Sequence, residues 1–466
     1  MLVHTRVLIR HPAFRPLAAS VVVALLAVLY LSQLTGMGMI GPDEPRYASI
    51  GRAMAQTGDW VTPRLWGEPW FEKPPLLYWL TGAGFLSGLD EDMSPRLPVA
   101  LLSLGFLAFF WWRMRTLADA TIAGWSVAML ATAGGWLAYS HIGVTDLPLA
   151  VFFSMGVLLL CGDRPRPLAA SVALGLAVLA KGLVPLVLFV PVLALNHRRL
   201  KDWLRPAPLG LGALVALPWF VLCTARNGNE MLRVLFVEQT FSRFSSPALQ
   251  HVQPWWFYLP VALLLLFPWF PLLPLAGMAR GNTQKTLAGV AVFGLIFFSL
   301  ATNKLPGYLL PLLPSTCALI AMGLGQKGKS ANWVIAPLLM LGLVPALARI
   351  IPGALTNGLR ATPIPWSLVA AGSAGAALAG LLVARFPLPR ALLVTFVTAA
   401  LSLIWLESAT VPGLDQAGSA RSAARISTPV CIPEAPRARA YGLYYYAGRR
   451  LPACALLDPD PHDVVR

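Results

Sequence analysis

Charged side chains are scarce in this 466-residue sequence. They form 12% of the chain, whereas hydrophobic residues form 57% and the mean hydropathy is +0.67. A water-soluble protein of this length needs many more polar side chains to cover its surface. The composition therefore excludes a soluble globular protein and predicts an integral membrane protein.

Cysteines are also few, and they fall into two groups. Cys161, Cys223 and Cys317 lie in or near apolar runs, where a free thiol behaves as a small hydrophobe. Cys431 and Cys454 lie in the less hydrophobic carboxyl-terminal segment. A disulfide is chemically allowed there if the segment faces an oxidising compartment, and we predict that these two residues pair.

Apolar runs recur along the whole chain, and each is long enough, or nearly so when tilted, to cross about 30 Å of hydrocarbon. They predict an all-α bundle with about thirteen membrane spans. The spans cover residues 17–38, 97–112, 121–139, 147–162, 168–180, 183–195, 207–224, 257–279, 286–302, 308–325, 332–350, 363–384 and 391–408. The first run reaches Pro42 without a clear cleavage site, which favours an uncleaved anchor over a signal peptide.

Basic residues outnumber acidic ones, 36 against 20, and their distribution predicts a topology. Short cytoplasmic loops are rich in Lys and Arg. With a cytoplasmic amino terminus, every inner connection carries basic residues, and the only inner acids are Asp119, Asp163 and Asp202. The odd number of spans then places the carboxyl terminus in a periplasm-like compartment. This inner bias explains the net charge of +16, so no nucleic-acid partner is expected.

The chain divides into two predicted domains. Residues 1–408 form the membrane domain, with long external loops at about 41–96 and 225–256. Residues 409–466 predict a small periplasmic α/β domain, which would rest on the membrane domain or on the disulfide because so short a segment has a small core.

The densest polar segment follows the first apolar run. It contains Asp43-Glu44-Pro45-Arg46-Tyr47 and then Glu72-Lys73-Pro74-Pro75. Charge of this density beside a membrane is usually functional. From these residues alone, a helix cap is the favoured interpretation of Asp43, because an acidic residue before Pro45 is a normal helix start.

The same residues resemble, in order, the first external loop of bacterial aminoarabinose transferases. They also resemble the wider family of dolichyl- or polyprenyl-phosphate-dependent glycosyltransferases with the GT-C fold. The match extends through Gly58-Asp59-Trp60, Pro63-Arg64 and Tyr78-Trp79-Leu80. The resemblance implies a GT-C type multi-spanning helical bundle in a bacterial inner membrane, with its active site on the periplasmic face.

The resemblance implies an inverting transfer of a sugar from an undecaprenyl or other polyprenyl phosphate carrier. The sugar would be 4-amino-4-deoxy-L-arabinose or a related one, and the acceptor lipid A phosphate, another glycan or a protein. A protein O-glycosyltransferase or an oligosaccharide ligase is the alternative enzyme. A lipid transporter is a further alternative, but it should bury its charges near the midplane, whereas most charges here lie in outer loops.

Three carboxylates are candidate catalytic residues: Asp43, Glu44 and Asp146. The resemblance implies that Asp43 is the base and that Asp146, within Gly143-Val144-Thr145-Asp146, is the second external acid. A helix cap formed with Thr145 is an equal alternative for Asp146. His141 has a suitable intrinsic pKa for a base, yet a lone interfacial histidine is more often structural.

Basic residues in the outer loops are candidate ligands of the carrier phosphate. They are Lys73, Lys181, Arg243 and Lys304, joined by Tyr308 as a hydrogen-bond donor. Each of them alone is explained by contact with lipid headgroups or the interfacial aromatic belt. The resemblance implies that Lys73, Arg243 and Tyr308 line the carrier phosphate.

A metal requirement stays open at this stage. Family members often have a histidine where this chain has Gln239, which weakens a metal or proton-transfer role there. Glu72, Glu238 and His251 are weak candidate ligands, because they lack ligand-type spacing and salt bridges explain the two glutamates better.

Overall fold

The computed structural model describes residues 14–242, 252–326, 331–358, 361–426, 431–432 and 435–454. It is mostly helical. The first half contains α1 (Phe14–Leu31), α2 (Asp43–Thr57), α3 (Leu76–Leu86), α4 (Met93–Leu117), α5 (Ala120–Ala131), α6 (Gly134–Ser140), α7 (Asp146–Leu160), α8 (Pro167–Lys181), α9 (Val184–Leu188), α10 (Val190–Leu195), α11 (Leu200–Trp203), α12 (Pro206–Asn227) and α13 (Glu230–Leu232).

The second half contains α14 (Tyr258–Leu265), α15 (Leu273–Ala276), α16 (Asn282–Leu300), α17 (Leu313–Gln326), α18 (Ile335–Leu341), α19 (Val344–Asn357), α20 (Trp366–Val383), α21 (Leu388–Gly418), α22 (Arg421–Ile426) and α23 (Arg437–Ala447). A π-helix covers Arg233–Ser242, and short 3-10 helices cover His197–Arg199, Trp255–Phe257, Phe270–Leu272, Pro306–Leu312 and Ala331–Val334. The strands β1 (Arg64–Leu65) and β2 (Glu68–Pro69) form an antiparallel hairpin that pairs Arg64 with Pro69.

The protein is a multi-pass membrane protein. Six of the described helices are long and apolar enough to span a bilayer, or nine spans if each of three bent helix pairs counts as one. The prediction of thirteen also counts shorter apolar helices such as α7 and α8, so that number stays a prediction. Large apolar side chains point outward from the spans; Leu214, Leu264 and Leu300 are 68%, 69% and 72% exposed. Such exposure suits contact with lipid rather than water.

Two of the bent spans meet at their breaks. Helices α5 and α6 form an angle of 62°, and the segments Trp255–Leu265 and Phe270–Ala276 form an angle of 109°. The Gly134 N–H donates to the Phe267 carbonyl at 2.8 Å, and the Trp269 indole donates to the Thr132 hydroxyl at 2.9 Å. Backbone groups that lose their helical partner at a break inside a membrane need other hydrogen-bond partners. Each of the two breaks supplies such partners to the other.

The carboxyl-terminal segment docks on the loop at 41–96. Asp92 is buried and accepts hydrogen bonds from the Tyr446 hydroxyl at 2.7 Å and from Arg421 at 3.0 Å. The Arg52 guanidinium donates to the Tyr445 carbonyl at 2.9 Å and stacks on the Tyr445 ring at 4.2 Å. Helices α22 and α23 are thereby fixed to α2 and the start of α4.

Cys431 and Cys454 form a disulfide, which confirms the predicted pairing. A bond of this loop length stabilises a small domain by about 2–4 kcal/mol. The described part of residues 409–466 contains α22, α23 and one isolated parallel bridge between Ile432 and Ala453. The predicted domain boundary after residue 408 falls inside α21, which continues to Gly418. The α/β character of the tail stays a prediction.

Candidate active site

Asp43 is held by a buried arginine at the start of α2. Pro42 occupies the N-cap position, so Asp43 lies in the first helical turn, where a negative charge is favoured by the helix dipole. Its carboxylate pairs with Arg46 one turn later, and Arg46 also pairs with Glu72 at 3.0 Å. The Asp43 side chain is 37% exposed and therefore reachable from solvent.

Arg46 is a fixed cation at the centre of this group. Its guanidinium lies 5.7 Å from the ring centre of Trp70 and 5.5 Å from that of Tyr441 in the tail. Burial opposes its charge, but the carboxylate of Glu72, together with Tyr47 and Asp43, raises the pKa of Arg46 above its usual range. Arg46 therefore orients two carboxylates from different segments, and the tail helix α23 contributes to its enclosure.

Glu44, the neighbour of Asp43, has a different environment. It is 1% exposed and accepts two hydrogen bonds from Arg96, from Nε and Nη2, each at 2.8 Å. The Gly143 N–H also donates to it at 2.9 Å. Arg96 donates further to the carbonyls of Leu34, Met37 and Gly38. Glu44 thus holds together the loop before α2, the start of α4 and the turn before α7.

Asp146 and Lys181 form an ion pair through their positions on antiparallel helices. Asp146 begins α7 and Lys181 ends α8, positions where the helix dipole favours each charge. The Lys181 ammonium lies 2.6 Å from Asp146 Oδ1. Thr145 is the N-cap residue of α7, and Asp146 itself is inside the helix. The carboxylate is therefore oriented by a lysine rather than by capping.

Tyr139 lies beside Asp146, where the 306–312 segment passes close to both side chains. A side-chain carbon at Gly307 would lie 2.6 Å from Asp146 Oδ1 and 2.8 Å from the Tyr139 ring. The close approach of the 306–312 segment thus requires glycine at this position.

A cleft of about 820 Å³ opens beside these groups. Lys73, Lys181 and Tyr308 lie in its wall, and the Lys181 ammonium is 4.8 Å from the centre of the Tyr308 ring. The Lys73 ammonium donates to the Glu72 carbonyl at 3.0 Å and to the Gln239 amide oxygen at 3.4 Å. The remaining wall is largely apolar: Leu149, Val184, Val187, Leu235, Phe297 and Phe298. Cations beside an apolar wall suit an amphiphile with an anionic head.

The other predicted basic residues are placed differently. Lys304 is not among the described residues that line the cleft. Its ammonium donates to the Gln253 carbonyl at 2.9 Å and to the Ala301 carbonyl. The sequence around Lys304 did not predict these contacts, because the local fold sets the direction of the side chain. Arg243 and His251 lie outside the described residues.

The candidate metal ligands face arginines. Glu72 pairs with Arg46, and Glu238 pairs with Arg233 at 2.5 Å on the surface. Within the described ranges, no group of three or more His, Cys, Asp or Glu residues is placed to hold a metal ion. His141 lies 2.9 Å through Nδ1 from the Leu137 carbonyl of its own helix, which favours the structural interpretation.

Four residues of the site were not predicted from the sequence: Arg46, Arg96, Tyr139 and Gly307. Arg96 carried one usable signal, since a buried arginine next to a long apolar run needs a carboxylate partner. Tyr139 and Gly307 carried none, because their importance depends on two distant segments meeting.

Comparison with known proteins shows which family the chain resembles. A model of the dolichyl-phosphate-mannose-protein mannosyltransferase family matches residues 17–227, which include Asp43, Lys73, Asp146 and Lys181. The crystal structure of ArnT from Cupriavidus metallidurans bound to undecaprenyl phosphate superimposes with a TM-score of 0.76 at 25% identity, covering 93% of this chain and 85% of that one. The chain thus resembles this family over its first half and the ArnT structure over nearly its whole length.

Several curated relatives are named undecaprenyl phosphate-alpha-4-amino-4-deoxy-L-arabinose arabinosyl transferase. The relative from Pectobacterium atrosepticum is 32% identical over 328 residues, 66% of this chain and 58% of its own length. The relative from Erwinia tasmaniensis is 31% identical over 372 residues, 74% of this chain and 65% of its own length. The chain thus spans about six tenths of the length of these glycosyltransferases.

Proposed function

We propose that the protein is an inverting glycosyltransferase. It moves a sugar, with 4-amino-4-deoxy-L-arabinose as the first candidate, from undecaprenyl phosphate to an envelope acceptor such as a lipid A phosphate. The observation that carries the proposal is a cleft lined by Lys73, Lys181 and Tyr308 with both acids beside it. Asp146 pairs with Lys181 of its wall at 2.6 Å, and Arg46 joins Asp43 to Glu72 of the same wall. The names of the curated relatives support the donor and the sugar.

The donor enters the cleft from the bilayer. Its prenyl chain lies along the apolar wall, and its phosphate lies against Lys73 and Tyr308, with Arg243 as a further ligand. The reaction breaks the bond between the sugar and the phosphate oxygen, so negative charge grows on the leaving phosphate. Cations already in place stabilise that charge without reorganising.

The acceptor approaches from the external side, where Asp43 is exposed. Asp43 takes the proton from an acceptor hydroxyl, or orients an acceptor phosphate that is already ionised and needs no strong base. Asp146, fixed by Lys181, positions the sugar opposite to the leaving phosphate, as inversion at an oxocarbenium-like centre requires. We assign Glu44 a positioning role, because its oxygens are occupied by Arg96 and Gly143.

Lys73→Ala should weaken carrier binding. Lys73 is 7% exposed and lies in the cleft wall, so its loss leaves a buried phosphate charge with one fewer partner. We expect the Kd for undecaprenyl phosphate to rise about 10–100-fold, the effect of one hydrogen bond to a charged group. Binding is measured with purified protein in nanodiscs. The matched control is Lys201→Ala, an exposed lysine outside the cleft; equal affinity of both variants would remove Lys73 from the phosphate site.

We also propose a topology for the chain in the membrane. The amino terminus is cytoplasmic, about thirteen spans follow, and residues 409–466 form a small periplasmic domain that covers the active site. The disulfide and the contact between Tyr441 and Arg46 support an external tail that lies next to the site. A phosphatase reporter fused after Arg466 should be active, and the same reporter fused in the 196–205 connection inactive. The reverse pattern would overturn this orientation.

A protein acceptor is the second candidate, since the matching family model is named for protein mannosyltransferases. Mass spectrometry of lipid A and of envelope glycoproteins, from cells with and without the gene, separates the two. Loss of a pentosamine from lipid A supports the first proposal. Loss of a sugar from proteins alone would replace lipid A by a protein acceptor.

A further inference from the structure

A second polar cleft lies at the opposite end of the two helices that carry Asp146 and Lys181. Helix α7 runs from Asp146 to Leu160 and α8 runs back from Pro167 to Lys181. Helices of this length, at about 1.5 Å per residue, separate their ends by roughly 22 Å. The connection between Leu160 and Pro167 lines a cleft of about 1230 Å³, which is therefore distinct from the candidate active site.

Arginine dominates this inner cleft. Arg113, Arg164, Arg166 and Arg199 line it, and Asp163 is the one acidic residue in the described part of its wall. Arg113 is buried and donates to the carbonyls of Leu158 at 2.9 Å and Cys161 at 2.5 Å. Arg199 donates to the Gly162 carbonyl at 2.5 Å. These bonds fix two of the four positive charges at the base of the cleft.

The remaining two arginines, Arg164 and Arg166, are exposed at the rim. The first turn of α16, Asn282 to Gln284, forms another part of the wall. Backbone N–H groups in a first turn have no partner within their own helix and favour an anion. The cleft thus combines guanidinium groups with helix N–H donors, the chemistry that recognises phosphate.

The surroundings of the cleft indicate where the phosphate comes from. The Arg166 guanidinium stacks on the Trp112 ring at 4.8 Å. Trp111, next to Trp112 in the sequence, is 42% exposed, and Leu168, two residues after Arg166, is 50% exposed. Tryptophan beside arginine is typical of the level at which lipid headgroups lie. A ligand bound here has apolar surface next to its phosphate.

We propose that this inner cleft binds the headgroup phosphate of an anionic phospholipid from the leaflet opposite to the candidate active site. A diphosphate headgroup such as that of cardiolipin matches the charge best, because four arginines face one aspartate. Basic pockets between membrane helices bind such headgroups. The lipid bridges the 161–166 connection and the start of α16, and so fixes the far ends of α7 and α8.

The test compares two pairs of substitutions that remove the same charge. Arg164→Gln with Arg166→Gln alters the cleft, whereas Lys201→Gln with Arg205→Gln removes two exposed cations outside its described lining. Full-length protein is purified into phosphatidylcholine nanodiscs, cardiolipin is titrated in, and bound lipid is counted by native mass spectrometry. We expect the cleft pair to bind cardiolipin at least about tenfold more weakly than the wild type, and the control pair to bind like the wild type.

Two results would overturn the proposal. Equal cardiolipin binding by both double variants and the wild type, or equal loss in both variants, would mean that the cleft has no specific role. A second arm adds soluble pyrophosphate to the wild-type protein. Displacement of cardiolipin at micromolar pyrophosphate would assign the cleft to a soluble phosphate compound instead of a lipid. Unchanged cardiolipin binding in that arm supports the lipid.

Discussion

Asp43→Asn lowers the turnover of sugar transfer by about 10²–10⁴-fold, the range typical of general acid–base catalysis. The amide keeps the size of the side chain and can still accept a hydrogen bond from Arg46, so the loop and the cleft should keep their structure. What is lost is the negative charge that takes the acceptor proton or orients the acceptor. Carrier affinity should change little, because Asp43 is not part of the described cleft wall.

The measurement is a transfer assay with purified variants, run beside carrier binding. Glu68→Gln is the matched control, since Glu68 is an exposed carboxylate in the same 41–96 loop and should keep full activity. Full turnover by Asp43→Asn would leave the mechanism without its central residue. A loss of carrier binding equal to the loss of turnover would move Asp43 to the donor site.

Glu44→Ala destabilises the protein by about 3–5 kcal/mol, the usual cost of removing one partner of a buried ion pair. Arg96 is 1% exposed, and without Glu44 its hydrogen bonds to the described residues go to carbonyl oxygens. Asp92 then remains as a carboxylate that interacts with it electrostatically. The turn at Gly143, which precedes Asp146, loses its acceptor as well. Activity therefore falls together with the folded fraction, and not independently of it.

The free energy of unfolding is measured by denaturant titration in mixed micelles. The control is Asp202→Ala, which breaks an exposed pair with Arg205 and should cost under about 1 kcal/mol. A Glu44→Ala protein as stable as the wild type but inactive would contradict the positioning role and make Glu44 a catalytic residue. Substitution of Asp43 is thus expected to lower turnover without unfolding the protein, whereas substitution of the adjacent Glu44 is expected to lower stability.

This difference between neighbours is a limit of sequence reasoning. Successive residues of a helix point about 100° apart, so Asp43 is partly exposed while Glu44 is buried. The motif indicated that the pair matters, but Arg96, the residue that decides the role of Glu44, lies 52 positions away. Only the packing of α4 against the external loop brings the two together.

The helical membrane fold followed directly from composition, and the disulfide followed from the positions of Cys431 and Cys454 outside the apolar runs. The breaks within the 120–140 and 255–276 spans were not predicted. The hydrogen-bond partner of each break lies in the other span, so the local sequence does not reveal it. Lys181 was predicted as a phosphate ligand. Its pairing with Asp146 depends on α7 and α8 being antiparallel neighbours of equal length.

The most direct test of the proposed function is transfer by the purified protein itself. Nanodiscs containing wild-type protein receive lipid A and undecaprenyl phosphate-linked 4-amino-4-deoxy-L-arabinose, and both lipids are followed by mass spectrometry. The account predicts that glycosylated lipid A and free undecaprenyl phosphate appear in equal molar amounts, and that Asp43→Asn forms neither at a comparable rate. Binding of the donor without any release of undecaprenyl phosphate, with lipid A or with protein acceptors, would contradict it.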